Sequence, residues 1–184
     1  FPHKLSLLKK PCTLSKYFHS TSFKRPLLPG IWALINIVKR MAKNNRIIFG
    51  LGSNLGDRNS YLNQAVTELE VRLELVNTKR SNILKNPAML LPDSPKEWNR
   101  EFFNIAFSAD IDLEQFIPEE ILNIVKEIEK DLGRKEGQKW APREIDIDIL
   151  AIDDLKIEIE GKLTIPHYDL LNRDFFVRTV REIE

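Results

Sequence analysis

The segment from Arg143 to Leu150 constrains the fold more than any other part of the chain. Isoleucine alternates there with acidic residues, in the order Arg-Glu-Ile-Asp-Ile-Asp-Ile-Leu. Strict alternation with β-branched residues predicts a strand that buries one face and exposes the other. Asp146 and Asp148 then point from the same face, roughly 7 Å apart from the rise per residue of a strand. The sequence therefore predicts a half-buried strand that carries two carboxylates on its polar face.

These two carboxylates are candidate ligands of a divalent cation. Like charges this close repel unless a positive charge lies between them, and Mg²⁺ binds carboxylate oxygens while sharing its other positions with water and substrate phosphates. For an isolated Asp-x-Asp, a solvated strand face is the ordinary explanation. The neighbouring residues favour the cation here, because Trp140 offers an aromatic ring and Arg134 and Arg143 offer guanidinium groups. Such a combination is typical of a nucleotide-phosphate site.

Charge is divided unequally along the chain. Residues 1–46 hold ten of the 28 Lys and Arg side chains and no Asp or Glu. The remainder has 18 basic against 27 acidic side chains, a formal charge of −9. An acidic domain does not attract nucleic acid by its overall field, so phosphate binding must depend on local arginines. We accordingly expect small-molecule partners and no nucleic acid.

The basic segment 1–45 lacks the pattern of a folded domain. We expect a disordered extension there and a domain over residues 46–184. The composition of residues 1–40 fits a mitochondrial transit peptide, whereas Met41, just before the first predicted strand, would be an ordinary start of translation. The two alternatives place the protein in the mitochondrial matrix and in the cytoplasm, respectively. The apolar run 27–38 is too short to span a bilayer, so no membrane association is expected.

Hydrophobic periodicity predicts the other elements of the domain. Strands are expected over 46–52, 77–84 and 102–113, helices over 59–75, 118–132 and 170–183, and a short strand over 156–160 that pairs back on the Asp-x-Asp strand. The glycine-rich segment Gly50–Gly56 is expected to be a turn, with Ser53 or Asn54 near the helix cap. The loop 86–100 contains three prolines and is long enough to be a lid or a binding loop.

Four motifs occur in a fixed order along residues 47–184. They are Gly50-Leu-Gly-Ser-Asn-Leu-Gly-Asp57, Phe103-Asn104, the segment 133–150 that contains Trp140-Ala-Pro-Arg143, and the segment 165–175. The set resembles the signature of the 6-hydroxymethyl-7,8-dihydropterin pyrophosphokinase family of folate biosynthesis. This resemblance implies an α+β, ferredoxin-like fold, an antiparallel sheet with helices packed on its faces. It also implies an enzyme that moves the β,γ-diphosphate of ATP to the hydroxymethyl oxygen of the pterin and releases AMP.

The resemblance implies roles for individual residues. Two Mg²⁺ ions would be held by Asp146 and Asp148, and these carboxylates with Arg134 and Arg143 would form the catalytic set. The other implied ATP-binding residues are Glu129, Ile149, His167, Tyr168 and Arg173. The implied pterin-binding residues are Phe102, Asn104, Trp140 and Phe175, with the ring between Trp140 and Phe175. By residue type alone, Glu129 is expected to be a solvated helix residue and His167 a loop histidine.

The chain departs from the family pattern at three positions. Asn86 stands before Pro87 where Thr or Glu is usual, Phe102 replaces a frequent Tyr, and Glu136 replaces a second Arg. The last change removes one positive contact to the nucleotide. The chain also stops before the usual end of the family, whose members are often fused to another folate enzyme, so we expect either a truncated domain or a fused one.

Two alternatives to this function stay open. The first is a different Mg²⁺-dependent nucleotidyl or phosphoryl transferase that uses Asp-x-Asp, which would not need a flat slot for a pterin. The second is an inactive scaffold domain of a fused folate enzyme, which would not need its acidic and basic signature residues intact. Whether the protein is a pterin pyrophosphokinase or another Asp-x-Asp transferase, we expect Asp146 and Asp148 to repel each other without a cation. Replacing either one should therefore leave the metal-free fold intact or slightly more stable.

Overall fold

The central sheet of the protein is antiparallel throughout. The computed structural model describes residues 44–135 and 140–184, and within them five strands pair in the order β2-β4-β1-β5, with β3 also on β4. These strands are β1 Asn44–Ser53, β2 Val76–Arg80, β3 Leu84–Asn86, β4 Phe102–Asp112 and β5 Asp146–Ile152. A separate two-stranded sheet joins β6 Ile157–Ile159 to β7 Leu163–Ile165.

Three α-helices complete the described part of the chain. They are α1 Arg58–Arg72, α2 Pro118–Asp131 and α3 Asp174–Arg181, with a 3₁₀ turn over Lys96–Trp98. The first helix connects β1 to β2 and the second connects β4 to β5. This order of elements, with β1 and β4 in the centre of the sheet, is the ferredoxin-like arrangement. The expected α+β fold is thereby confirmed.

The core lies between the sheet and the helices α1 and α2. Alternate residues of β1 and of β5, such as Phe49, Leu51 and Ile147, are at most 1% exposed. They face apolar side chains of the two helices, which are Leu62, Ala65, Leu69, Ile121, Val125 and Ile128. Full burial of one such aliphatic or aromatic side chain contributes about 1.5–3 kcal/mol. The alternation of apolar residues along β1 and β5 therefore determines which face of the sheet packs against the helices and which face stays open for a site.

The start of α1 differs from the prediction. The cap is Asp57, whose carboxylate accepts a hydrogen bond from the backbone N of Ser60 at 3.1 Å. Ser53 and Asn54 do not cap the helix, because β1 continues as a strand through the glycines to Ser53. The turn falls later, at Gly56, which has a φ of 64°.

The predicted hairpin between segment 156–160 and the Asp-x-Asp strand was wrong. β6 pairs with β7, because the chain leaves the central sheet at Asp153. The Asp153 carboxylate accepts hydrogen bonds from the backbone N of Arg46 at 2.9 Å and from Nδ2 of Asn45 at 2.8 Å. These contacts fasten the end of β5 to the start of β1 and direct the next residues away. Similarly, the single strand predicted over 77–84 is divided into β2 and β3.

The described residues begin inside the predicted extension. Asn44 and Asn45 belong to β1, and the rest of segment 1–45 lies outside the described part of the chain, as does Glu136. Within residues 44–135 and 140–184, no helix is long and apolar enough to cross a membrane.

Candidate active site

The floor of the site is formed by the open face of three neighbouring strands. In the register of the sheet, Gly52 of β1 lies between Asn104 of β4 and Asp146 of β5, and Gly50 lies opposite Asp148. Adjacent strands are about 4.8 Å apart, so Asn104 and Asp146 stand about 10 Å from each other across a residue that has no side chain. The central strand thus leaves a trough between an amide wall and an acidic wall.

Both glycines are required by the close packing of this trough. A Cβ atom at Gly52 would lie 2.7 Å from Oδ1 of Asn104, and one at Gly50 would lie 2.6 Å from the ring of Phe176. These separations are well inside van der Waals contact, so any larger residue would displace the neighbouring side chain. The two glycines therefore let the side chains of Asn104 and Phe176 pack closely over β1.

A cavity of about 270 Å³ opens above this floor. Most of the residues that the resemblance assigns to ATP, metal and pterin line it, together with several that it did not assign. The complete lining is Gly50, Leu51, Gly52, Asn86, Met89, Phe102, Asn104, Lys126, Arg134, Trp140, Arg143, Asp146, Asp148, His167, Tyr168, Arg173, Phe175 and Phe176. The predicted site residues in this lining are thus brought to one place from separate segments of the chain.

Two of the predicted site residues do not line the cavity. Ile149 is 4% exposed and belongs to the hydrophobic core. It lies two residues after Ile147 on β5, so both side chains are on the face of the strand that packs against the helices. Glu129 is 2% exposed, so the expectation of a solvated helix residue was wrong. Its burial is explained by its contacts beneath the site.

The Glu129 carboxylate joins the end of α2 to the start of β5. Its Oε1 accepts hydrogen bonds from the backbone N of Ile147 at 2.8 Å and from Nη1 of Arg134, and its Oε2 accepts one from Nζ of Lys126 at 2.8 Å. A buried carboxylate is tolerated only where it is paired and hydrogen-bonded, as it is here. Glu129 therefore holds Arg134 and the metal-candidate strand in a fixed relation.

Asp146 is the better neutralised of the two strand carboxylates. Its Oδ1 lies 2.6 Å from Nη1 of Arg134, and its Oδ2 lies 3.2 Å from Nη1 of Arg143. Burial disfavours the charged form, but Arg143 and Arg134 outweigh it and hold the pKa of Asp146 below its ordinary value. Asp146 is therefore ionised at neutral pH and bound to both of the predicted catalytic arginines.

Asp148 has a different environment. Within the described residues no Lys or Arg forms a salt bridge with it, and its Oδ1 lies 3.9 Å from Nε2 of His167. Burial, followed by the charge of Asp146, raises the pKa of Asp148 to about 7. The energetic cost of the expected repulsion falls on Asp148, because Asp146 is stabilised by ion pairs with Arg134 and Arg143.

The acidic wall fits a magnesium ion in its donor chemistry. Among the residues that the structure describes, no cluster of three or more His, Cys, Asp or Glu side chains could hold a metal alone. Mg²⁺ does not need one, since it commonly binds one or two carboxylates and takes its other ligands from water and substrate phosphates. Asp148 supplies a carboxylate whose negative charge is poorly compensated, which is the condition that a cation would relieve.

Arg143 is positioned by Asn54, a buried residue that the sequence places near a helix cap and not at the site. Asn54 is 3% exposed, and its Oδ1 accepts a hydrogen bond from the backbone N of Arg143 at 2.8 Å. In return, the backbone N of Asn54 donates to the carbonyl of Arg143 at 3.2 Å. This reciprocal pair attaches the segment that leads into β5 to the end of β1, across 89 positions of sequence.

The segment after β7 lies beside the acidic strand and extends its wall. The backbone N of His167 donates to the carbonyl of Leu150 at 2.8 Å, and its Nδ1 accepts a hydrogen bond from the backbone N of Asp169 at 3.1 Å. Because Nδ1 is an acceptor, the neutral ring carries its proton on Nε2, towards Asp148. Burial and then the charge of Arg173 lower the pKa of His167. The ring is thus a neutral hydrogen-bond donor at neutral pH.

Aromatic side chains surround the other half of the cavity. Phe102, Trp140 and Phe175 line it, as does Met89 from the long loop between β3 and β4. Trp140 has a φ of 73°, a left-handed conformation that is uncommon for a bulky residue and that accumulates at functional sites. Lys126 lines the cavity from α2 and was missed, although its spacing of three residues from Glu129 is a detectable signal.

Comparison with known proteins identifies the family. Residues 48–184 match the family model described as 7,8-dihydro-6-hydroxymethylpterin-pyrophosphokinase (HPPK). The chain is 42% identical over 142 residues to the 2-amino-4-hydroxy-6-hydroxymethyldihydropteridine pyrophosphokinase of Aquifex aeolicus, covering 75% of this chain and 79% of that one. It is 29% identical over 173 residues to the folate synthesis bifunctional protein, mitochondrial, of Arabidopsis thaliana, covering 94% and 27%.

The structural comparison agrees on the fold. A crystal structure of a substituted HPPK-DHPS of Plasmodium falciparum with pterin and p-hydrobenzoate has a TM-score of 0.53 at 16% identity, over 76% of this chain and 40% of that one. The chain spans between 26% and 36% of the length of the bifunctional relatives that it matches. With the family model matched from β1 to the last residue, the chain belongs to the 7,8-dihydro-6-hydroxymethylpterin-pyrophosphokinase family.

Proposed function

We propose that this protein transfers the β,γ-diphosphate of ATP to the hydroxymethyl group of 6-hydroxymethyl-7,8-dihydropterin and releases AMP. The observation that carries the proposal is the trough over Gly50 and Gly52, which has an acidic, arginine-bound wall on one side and an amide in an aromatic setting on the other. A triphosphate and a flat heterocycle can therefore meet above the same floor.

The phosphate half of the reaction depends on position and charge. Arg134 and Arg143 project into the cavity from fixed backbones, and their guanidinium groups suit bidentate contact with phosphate oxygens. His167 offers a neutral N–H on the same side, and Tyr168 and Arg173 extend this wall. Transfer to phosphorus needs alignment and neutralisation of charge more than covalent catalysis. We assign these five residues to ATP, with Lys126, which also lines the cavity, adding positive charge.

Asp146 and Asp148 are the residues that would hold Mg²⁺, for which we propose two ions. When bound, the metal neutralises phosphate charge and favours attack at phosphorus. Glu129 fixes Arg134 and the backbone at Ile147, so that the two carboxylates face the trough. No side chain at the site is assigned as a general base.

The pterin half of the site depends on shape and hydrogen bonding. Trp140 and Phe175 are assigned to the two faces of the ring and Phe102 to its edge, since stacked aromatic groups bind flat heterocycles. Asn104 is 5% exposed and lines the cavity, so its amide can read the donors and acceptors of the ring edge. This half of the site distinguishes the proposed reaction from that of other Asp-x-Asp transferases.

A direct assay separates the proposal from its alternatives. With ATP, Mg²⁺ and 6-hydroxymethyl-7,8-dihydropterin, we expect AMP and the pterin diphosphate to form in equal amounts, measured by chromatography. Omitting the pterin or adding EDTA should abolish AMP formation. AMP release without pterin would indicate a different nucleotidyl transferase, and no AMP release at all would indicate a scaffold domain.

Replacing Trp140 with alanine is expected to weaken pterin binding about fivefold to tenfold and to leave ATP binding within about twofold. The reason is that aromatic stacking contributes on the order of 1 kcal/mol beyond the buried area. Titration calorimetry with each ligand would measure the two effects, with Trp98→Ala as a matched control because Trp98 does not line the cavity. Equal losses for both ligands would place Trp140 in the structural core.

Two further proposals concern the partner enzymes of this domain and its location in the cell. Bifunctional relatives show that domains of this family occur within longer folate-synthesis proteins, and we propose that this domain is fused to, or works with, another folate enzyme. We favour a cytoplasmic location. If residues 1–40 are a transit peptide, the location is the mitochondrial matrix, as in the name of the Arabidopsis relative.

A further inference from the structure

We propose that Asn86 determines the specificity of the slot by fixing the orientation of the Asn104 carboxamide. This inference rests on the proposed function, because it concerns how the slot recognises its heterocycle. An asparagine side chain ends in an acceptor oxygen and a donor nitrogen that exchange places when the group turns over. Whatever holds the amide in one orientation therefore decides whether the slot presents an acceptor or a donor.

The position of Asn86 lets it reach Asn104. β3 pairs with β4 so that Leu84 is opposite Asn104 and Asn86 is opposite Phe102. Asn86 and Asn104 are thus diagonal neighbours on adjacent strands, within reach of two short polar side chains. Because Asn86 precedes Pro87, its backbone is restricted to extended conformations, which keeps the last residue of β3 in the strand.

Two hydrogen bonds in series fix the orientation. Nδ2 of Asn86 donates to the carbonyl of Pro87 at 3.0 Å, which leaves Oδ1 of Asn86 directed away from that carbonyl. This Oδ1 accepts a hydrogen bond from Nδ2 of Asn104. Because the Pro87 carbonyl can only accept a hydrogen bond, the group of Asn86 that faces it must be Nδ2. The group of Asn86 that faces Asn104 is then Oδ1, which can only accept.

The consequence lies over the floor of the trough. With its nitrogen engaged by Asn86, Asn104 directs Oδ1 towards Gly52, where a Cβ atom would lie only 2.7 Å from that oxygen. The buried amide therefore presents an acceptor to the cavity. A ring with an N–H group at this edge is matched, as a pterin is through its lactam N–H or amino group, and a ring with only acceptors there is not.

Binding measurements on three variants test this inference. Asn86→Ala removes the acceptor that holds Asn104, and we expect it to raise the Kd for 6-hydroxymethyl-7,8-dihydropterin about tenfold. Its Kd for α,β-methylene-ATP should stay within twofold of wild type. Asn86→Asp retains an oxygen that can accept from Asn104, so its pterin Kd should stay within about threefold. Asn99→Ala, the same change at an exposed position of the following loop, should alter neither constant.

The outcomes are distinguishable. If the wild type binds pterin and Asn86→Ala binds it equally well, this inference alone is overturned. The same holds if Asn86→Asp loses as much affinity for pterin as Asn86→Ala does. Absence of pterin binding by the wild type would overturn the proposed function together with this inference. A thermal unfolding midpoint of each variant close to that of wild type ensures that the affinities refer to the folded protein, and Asn86→Asp provides the test if Asn86→Ala does not fold.

Discussion

Replacing Asp148 with asparagine is expected to stabilise the metal-free protein at pH 8 and to remove most of its Mg²⁺-dependent turnover. The carboxylate is held near Asp146 on a buried strand face, without a salt bridge to Lys or Arg among the described residues. Asparagine keeps the shape and removes the charge. The loss of turnover should be about 10²–10³-fold, similar to the removal of one preorganised electrostatic contact in other enzymes.

The pH dependence follows from the pKa of Asp148. This pKa is about 7 in the fold and about 3.9 in an unfolded chain, so the fold favours the protonated form. Its contribution to stability is complete below about pH 4 and is lost as pH rises through 7. The asparagine variant has no such loss. Since one pKa unit corresponds to about 1.4 kcal/mol, its advantage in free energy of unfolding should grow from near zero at pH 4 to about 4 kcal/mol at pH 8.

Urea unfolding at several pH values, with and without Mg²⁺, would measure this advantage. Mg²⁺ should reduce it, because a cation that binds the wild-type carboxylate stabilises only that protein. Asp154→Asn makes the same chemical change at an exposed position of the turn after β5 and should alter neither stability nor turnover. A variant that unfolds, or one that retains near wild-type turnover at saturating Mg²⁺, would show that Asp148 is structural.

The local pattern of the sequence predicts the acidic wall of the site. Alternation places Ile147 and Ile149 in the core and Asp146 and Asp148 on the open face, and the buried isoleucines confirm that parity. Such predictions succeed because the period of a strand is a property of a few consecutive residues. The helix α2 is predicted for the same reason, since its apolar stripe and its first-turn acids are local.

What sequence could not predict depends on contacts between distant segments. Asn54 resembles a helix cap until the register of β1 brings it to Arg143, and Asn86 resembles a loop residue until β3 pairs with β4. The same holds for the hairpin expected after β5, which is prevented by hydrogen bonds from β1 to Asp153. A polar side chain has many possible partners along a chain, and only the folded topology selects among them.

Glu129 is the residue whose replacement is expected to cost the most stability. Glu129→Ala would leave Arg134 with one fewer partner, Lys126 without its carboxylate contact and the backbone N of Ile147 buried without an acceptor. Removing one member of a buried ion pair typically costs about 3–5 kcal/mol. Because a domain has only about 5–15 kcal/mol in total, this loss would leave the protein marginally stable.

Two further variants divide that cost between charge and hydrogen bonding. Glu129→Gln keeps an oxygen that can accept from Ile147 and loses the charge that neutralises Arg134 and Lys126, so an intermediate loss is expected. Glu127→Ala is the control on the same helix. It removes a side chain that is 69% exposed and makes a single long contact, 4.0 Å, with Arg72, so it should lower the free energy of unfolding by less than about 0.5 kcal/mol. Urea midpoints would rank the three variants. If Glu129→Ala were as stable as Glu127→Ala, the buried carboxylate would not be what holds α2, Arg134 and β5 together, and the rigidity assigned to the acidic wall would have to come from Asn54 and the sheet alone.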